Sequence, residues 1–142
     1  MKSILWFRIT SVLLLLCATG HIFRFFIDDP ETPEGRSVWS SMLHTRFSRD
    51  RSSATFADLY RASAILVAAL LLLEAFLAWH CSHLVGEYIT DAIILGWCIL
   101  LLQVLDLVLS WRYFGIVQVV MSLVTGTCAG IALALVTPAT SF

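Results

Sequence analysis

Charged side chains are scarce in this sequence, and neither sign predominates. Lysine and arginine together number 9, aspartate and glutamate number 10, and charged residues make up 13% of the chain. The formal net charge is −1, and the sequence contains neither a basic patch nor a run of like charges. These features argue against nucleic acid or a strongly anionic surface as the partner.

Recognisable catalytic and redox motifs are also lacking. The sequence contains no Walker loop, no HExxH, and no arrangement of nucleophile, base and orienting group, so we expect no catalytic residue and no cofactor. The 4 cysteines form no CxxC pair and lie within or at the ends of apolar segments. This placement is typical of small apolar packing residues. The cysteines are Cys17, Cys81, Cys98 and Cys128.

Two histidines near the end of the second span have the spacing of metal ligands. His80 and His83 are one helical turn apart and Glu87 is another turn on, which allows metal ligation if the helix continues through them. Two histidines beside an interfacial tryptophan more often mark the end of a span, so we expect no metal. Bis-histidine haem ligation is disfavoured because His21 lies toward the opposite bilayer face from His80 and His83.

Apolar sequence is what the chain has in abundance. Apolar residues make up 59% of the 142 residues, and the mean hydropathy is +0.88. Four apolar blocks are long enough to cross a bilayer, at residues 3–27, 56–79, 90–111 and 114–136. The sequence therefore predicts an all-α membrane protein, a four-transmembrane-helix bundle that forms a single membrane domain over residues 1–142.

The first apolar block has a secretory signal peptide as its competing interpretation. Lys2 precedes it, and the stretch SVLLLLCATG has the composition of a signal-peptide core. The apolar stretch has no convincing small-x-small cleavage site, however, and continues through Ile22 and Phe23. We therefore expect a helix that is retained.

The only extended polar segment, 28–55, is predicted to contain a short amphipathic helix. Thr32 before Pro33 is typical of an N-cap followed by the first helical residue, and the helix is expected to continue to Phe47. Its apolar positions share one side, as in a helix that lies on the membrane surface or covers the end of the bundle. A solvated connecting helix without function is the alternative.

Two ionisable residues inside the first two spans are predicted to pair. Arg8 lies about five residues inside the start of the first span, and Glu74 lies about five residues inside the end of the second. Antiparallel neighbours would place both at a similar depth, so we predict a structural ion pair between Arg8 and Glu74.

The last two spans carry polar and small residues at helical spacing. Gly96, Gln103, Asp106 and Ser110 form a stripe on the third span that should face protein. On the fourth span every fourth residue is small or polar, which includes a GxxxG match and indicates close helix packing. The positions of this second stripe are Gln118, Ser122, Gly126 and Gly130.

Arginine distribution predicts the topology and one candidate polar cluster. Most arginines lie in or beside segment 28–55 and the third connection, which places that side in the cytoplasm and both termini outside. Asp106 should find a partner there in Arg61 or, second, in Arg24. A structural network is favoured over a ligand site or catalysis. The predicted cluster contains His21, Arg24, Tyr60, Arg61, Gln103, Asp106 and Gln118.

Five short segments resemble a group of small bacterial four-span membrane proteins that has no assigned function. They are GHIF from Gly20, PETPEG from Pro30, FADLYRAS from Phe56, LAWH from Leu77 and LSWRYFGIVQVVMS from Leu109. Where members of that group tend to have a glycine-rich tract, this chain has Arg61, Ala62 and Ser63. The resemblance implies a bacterial inner membrane and the same architecture, and it implies no activity.

Three classes of function are compatible with these features. The first is an accessory or scaffolding subunit that packs against other membrane proteins or against itself. The second is a protein or enzyme that binds a lipid, quinone or isoprenoid, with the headgroup at Asp106, Arg61 and His21. The third, a transporter, needs a polar path across the whole bilayer, and apolar layers interrupt that path. We rank the three in this order.

Overall fold

The protein is all-α and contains five helices over the part of the chain that the structure describes. A computed structural model describes residues 1–27, 30, 32–46 and 54–137, and for residues 24–27 it describes the backbone alone. The predicted end of the short helix at Phe47, the turn at 49–53 and the tail from Pro138 lie outside the described residues. The helices are α1 (Lys2–Ile27), α2 (Pro33–His44), α3 (Phe56–Leu84), α4 (Ile89–Tyr113) and α5 (Ile116–Val136).

Four of these helices are long and apolar enough to cross a membrane. The candidate spans are Lys2–Phe23, Phe56–Leu84, Ile89–Tyr113 and Ile116–Val136. A span needs roughly 20 apolar residues because the hydrocarbon core is about 30 Å thick. The fold class is therefore as predicted, and the chain is a multi-pass membrane protein.

Helix ends differ from the predicted boundaries mainly at α3. The predicted second span stops at residue 79, but α3 continues through His80 and His83 to Leu84. Nothing in that stretch breaks a helix, because the first glycine after it is Gly86. The chain then turns through Val85–Tyr88 into α4, which ends at Tyr113 just before Gly115.

The amphipathic helix α2 begins where the sequence predicts. The Thr32 hydroxyl accepts a hydrogen bond from the Gly35 amide at 3.0 Å, and Pro33 is the first helical residue. None of the residues of α2 is buried, and Val38 keeps 59% of its surface exposed. This exposure of apolar side chains is typical of a helix at a membrane surface.

The chain divides into two compact units, and α1 and α3 each contribute to both. The first unit combines Met1–Cys17 with the described part of Leu71–Phe142, and the second is Ala18–Leu70. In the first unit, Ser11 Oγ donates to the Ala75 carbonyl at 2.7 Å, which ties α1 to α3. The largest apolar side chains buried there include Phe7, Leu14 and Ile99.

Small residues set how closely the helices of the first unit approach. A Cβ added at Gly96 would lie 3.1 Å from Leu133 Cδ1 and 3.3 Å from Phe7 Cζ. The positions of the GxxxG match are less crowded, because a Cβ at Gly126 would lie 3.5 Å from Gln103 Cβ. The corresponding distance from Gly130 to Leu100 Cδ1 is 3.9 Å, so both glycines face α4.

The second unit is organised around the start of α3. The Phe56 amide donates to the Thr45 carbonyl at 3.2 Å, beside an isolated antiparallel bridge between Arg46 and Thr55. Thr55 caps α3 reciprocally with Asp58: the Thr55 amide donates to Asp58 Oδ2 at 2.9 Å, and the Asp58 amide donates to Thr55 Oγ1 at 3.2 Å. This capping box fixes the first turn of α3.

Candidate functional site

Gln103 joins three helices in the interior of the first unit. Its Nε2 donates to Glu74 Oε2 on α3 at 2.5 Å, and its Oε1 accepts from Thr125 Oγ1 on α5. Gln103 is 2% exposed, Thr125 is 1% and Glu74 is 7%. Both ends of one amide are therefore used to link α3, α4 and α5.

A second hydrogen-bonded group lies one turn further along α4. Ser122 Oγ on α5 donates to Asp106 Oδ2, and Ser110 Oγ lies 3.4 Å from Ser122 Oγ. A hydroxyl has one proton, so when Ser122 donates to Asp106, Ser110 is the group that can donate to Ser122. Ser110 and Ser122 are both buried and Asp106 is partly buried.

Helical spacing brings the members of these two groups together. Gln103, Asp106 and Ser110 follow at i, i+3 and i+7 on α4, while Ser122 and Thr125 follow at i and i+3 on α5. The prediction that the α4 stripe faces protein is confirmed, because Gly96, Gln103 and Ser110 are all buried.

In the described part of the first unit, every buried side-chain nitrogen or oxygen has a hydrogen-bond partner. Within the described residues, His21 Nε2 is the only buried side-chain nitrogen or oxygen without a hydrogen-bond partner, and it belongs to the second unit. Buried polar groups that are all paired hold a bundle in one register.

The predicted ion pair between Arg8 and Glu74 is not formed, and each side chain has another partner. Arg8 Nε donates to Ser82 Oγ at 3.5 Å, and its guanidinium lies over the Trp79 ring at 5.3 Å from the centroid. Glu74 binds Gln103. The estimate of equal depth assumed that α3 ends at Trp79, whereas α3 ends at Leu84. Arg8 therefore lies beside the last two turns of α3.

The predicted polar cluster divides between the two units. Gln103, Asp106 and Gln118 belong to the first unit, where the Gln118 carbonyl lies 2.9 Å from Ser122 Oγ and is the alternative acceptor for its single proton. Within the first unit, Asp106 accepts a hydrogen bond from Ser122 Oγ on α5. The other predicted members, His21, Arg24, Tyr60 and Arg61, belong to the second unit.

An aromatic and basic group brings two of these members together in the second unit. The Arg61 guanidinium lies over the Trp39 ring of α2 at 5.8 Å from the centroid. Trp39 in turn packs edge to face against Tyr60, with ring centroids 5.9 Å apart. Arg24 lies in α1, and its side chain is outside the described residues.

The histidines at the end of α3 pack against aromatic rings. His80 stacks on Phe76 with centroids 6.2 Å apart, and His83 meets Trp79 edge to face at 6.0 Å. No group of three or more histidine, cysteine or acidic side chains suited to a metal ion occurs among the residues that the structure describes.

Several residues of these groups were not foreseen as members. Thr125 follows Ser122 by one turn on the same face, so the spacing rule could have found it. Ser82 and Trp79 could have been found only by placing the end of α3 correctly. The sequence of α2 alone does not identify Trp39 as a member, because its partners Tyr60 and Arg61 lie in α3.

No protein-family model, no curated protein and no solved structure matches this chain. The resemblance to small bacterial four-span proteins thus stays a prediction from short segments of sequence.

Proposed function

We propose that this protein is an accessory or scaffolding subunit that packs against another membrane protein and does no chemistry of its own. The observation that carries the proposal is the closed interior of the first unit. Both acidic groups there, Glu74 and Asp106, are hydrogen-bonded to neutral side chains of neighbouring helices. Such contacts hold helices together.

The face that could receive a partner is the outer face of α4. The GxxxG face is already used within the chain, since Gly126 packs against Gln103 and Gly130 against Leu100. Only 22% of the residues in the most apolar stretch of α4 are buried, against 39% for α5. Exposed side chains at i, i+4, i+8 and i+11 form one continuous apolar face, which we call the outer face of α4: Trp97, Leu101, Leu105 and Val108.

Site-specific photo-crosslinking tests this proposal. A photoreactive residue at Leu101, which is 64% exposed, should form an adduct with one membrane protein in intact cells. The matched control is Ile99 on the same helix, which is 0% exposed and should form no such adduct.

The interaction should also depend on the shape of that face. Leu105→Trp adds bulk at an exposed position and should abolish the Leu101 adduct, whereas the same change at Leu123 on α5 should leave it intact. Adducts with lipid alone at Leu101, or an adduct that survives Leu105→Trp, would contradict the accessory role.

We also propose that the protein lies in a bacterial inner membrane with segment 28–55 in the cytoplasm. Arginines near the ends of spans on this side support that orientation, because positively charged segments are retained in the cytoplasm. Cysteine accessibility tests it. A cysteine at Ser37, in a Cys-free background, should be protected from a membrane-impermeant maleimide in intact cells and react after permeabilisation.

A second candidate function is binding of a lipid or quinone headgroup in the second unit. It is favoured by the contacts of Trp39 with Arg61 and Tyr60 and by a neighbouring open cavity of about 290 Å³. The cavity is lined by Pro30, Arg36, Trp39, Ser40 and Leu43. A basic group beside an aromatic face suits an anionic or carbonyl-bearing headgroup.

Thermal stability in detergent distinguishes this second candidate. A ligand that binds only the folded protein raises Tm as its concentration rises above Kd. An added short-chain quinone should raise the Tm of the wild-type protein but not of Arg61→Ala. Arg46→Ala removes another exposed charge of the second unit and should keep the response. An equal rise in Arg61→Ala would exclude this site.

A further inference from the structure

Among the described residues of the first unit, Arg8 is the one arginine or lysine whose side-chain contacts hold it in place, and both of its partners lie on α3. Its guanidinium lies over the Trp79 ring at 5.3 Å, and its Nε donates to Ser82 Oγ at 3.5 Å. Ser82 is itself fixed, because its hydroxyl donates to the Trp79 carbonyl at 2.7 Å. The guanidinium is therefore oriented by two residues of α3.

Despite this support, Arg8 is exposed and has no acidic partner within the part of the chain that the structure describes. No carboxylate among the described residues forms an ion pair with it, and Glu74, the acid predicted to do so, is hydrogen-bonded to Gln103. A charged side chain on the outside of a membrane-spanning helix is costly unless it reaches an anion or water. Trp79 and Ser82 supply neither.

The position of Arg8 along α1 places its charge near the membrane surface. Arg8 lies six residues after the start of α1 at Lys2, which corresponds to about 9 Å along the helix axis. Side chains on a helix lean toward its N-terminus, and arginine extends further by snorkelling. Trp79 lies near the end of α3 at Leu84, where tryptophan is typical of the bilayer interface.

We propose that Arg8, oriented by Trp79 and Ser82, binds the phosphate of an anionic phospholipid headgroup. The planar guanidinium donates in a fork that matches phosphate oxygens, and among the described residues only its Nε is used in a hydrogen bond, which leaves the two terminal nitrogens for the phosphate. A phospholipid is the occupant that the geometry favours because its phosphate is present at this depth on the lipid-facing side. The inference does not depend on the proposed accessory role, since the two concern different faces.

Lipid titration with native mass spectrometry tests the site. The delipidated protein in mild detergent is titrated with phosphatidylglycerol, and the dissociation constant of the first bound lipid is measured. Arg8→Ala should bind about tenfold more weakly, the loss expected for one charge-assisted hydrogen-bonded contact. Arg8→Lys keeps the charge but loses the fork and should bind with intermediate affinity.

The controls separate a built site from general charge attraction. Lys2→Ala removes the same charge from the start of α1, and Lys2 has no side-chain contact of this kind, so its affinity should match that of the wild type. Arg8→Gln keeps a donor for Ser82, and it replaces Arg8→Ala if that variant fails to fold. Unchanged affinity in the Arg8 variant, or an equal loss in Lys2→Ala, would overturn the proposal.

The source of the phosphate is tested in the same experiment. Excess inorganic phosphate should not displace the bound phosphatidylglycerol, because the acyl chains add apolar contact that a free anion lacks. Displacement by inorganic phosphate would show a site for a free anion and would contradict a lipid site.

Discussion

Single residues in the interior of the first unit are positioned by hydrogen bonds that cross between helices. Gln103 is the central member because its amide both donates and accepts, which lets one side chain bridge Glu74 and Thr125. A leucine of similar volume would leave both partners without that bond in an apolar interior. Leaving a buried polar group without a partner costs more free energy than one hydrogen bond contributes to stability.

Gln103→Leu should destabilise the protein by about 1–2 kcal/mol, the upper range for hydrogen bonds between membrane helices. Unfolding by titration with a denaturing detergent measures the effect. Glu74→Gln serves as the control because a glutamine can still accept from Gln103 Nε2, and it should cost less. A larger loss in Glu74→Gln would mean that the carboxyl group has a role beyond this bond.

Removing one hydroxyl at a time from α5 compares the stability contributed by a hydrogen bond between helices with that of an exposed bond within one helix. Ser122→Ala removes the donor to Asp106, whereas Thr127→Ala removes an exposed hydroxyl that donates only to the Leu123 carbonyl of its own helix. We expect a loss of about 1 kcal/mol for Ser122→Ala and almost none for Thr127→Ala. Thermal melting in detergent gives both values, and equal effects would refute the role assigned to Ser122.

Among the helices, α4 connects its neighbours through one polar face while the opposite face stays apolar. Small residues decide how near those neighbours come. Gly96 allows Phe7 and Leu133, both buried, to approach within contact distance of α4. The GxxxG match on α5 is looser than its sequence implies, because a methyl group at Gly126 or Gly130 would make ordinary van der Waals contact.

Alanine substitutions at Gly130 and Gly96 should therefore change the stability of the protein in opposite directions. Gly130→Ala should stabilise the protein by up to about 1 kcal/mol, because alanine favours a helix and the added methyl group fits. Gly96→Ala should be destabilising, because its methyl group would crowd Leu133 Cδ1 and Phe7 Cζ at 3.1 and 3.3 Å. Unfolding free energies of both variants in one detergent test this, and a stabilised Gly96→Ala would contradict the packing described.

At the scale of the whole molecule, four candidate spans determine the relation between the two ends of the chain. An even number of crossings returns the chain to the side where it began. Loop charge then decides which side that is.

Reporter fusions at both ends should therefore give the same result. Alkaline phosphatase, which is active only outside the cytoplasm, should be active when fused to either terminus, and a cytoplasmic fluorescent reporter should be dark there. Opposite results at the two ends would mean that one apolar helix does not cross the membrane. Activity of the fluorescent reporter at both ends would keep the four spans and reverse the orientation.

Sequence pattern predicted the helices and the N-cap well because these depend on local chemistry. Thr32 and Pro33 start α2 as expected, and apolar length identifies four spans. The extension of α3 to Leu84 was missed because histidine and serine at a span end lower hydropathy without ending a helix. That difference in length made the predicted Arg8 to Glu74 pairing wrong.

The sequence by itself determined that this is an all-α, multi-pass membrane protein, because length and hydrophobicity suffice to predict a span. It also determined which face of α4 turns inward, since helical spacing places Gln103, Asp106 and Ser110 together. Only the tertiary structure decided that Gln103 binds Glu74, that Ser122 binds Asp106 and that Arg8 lies on Trp79. Partners depend on how far one helix is shifted and rotated against the next, and periodicity within one helix carries no information about that shift.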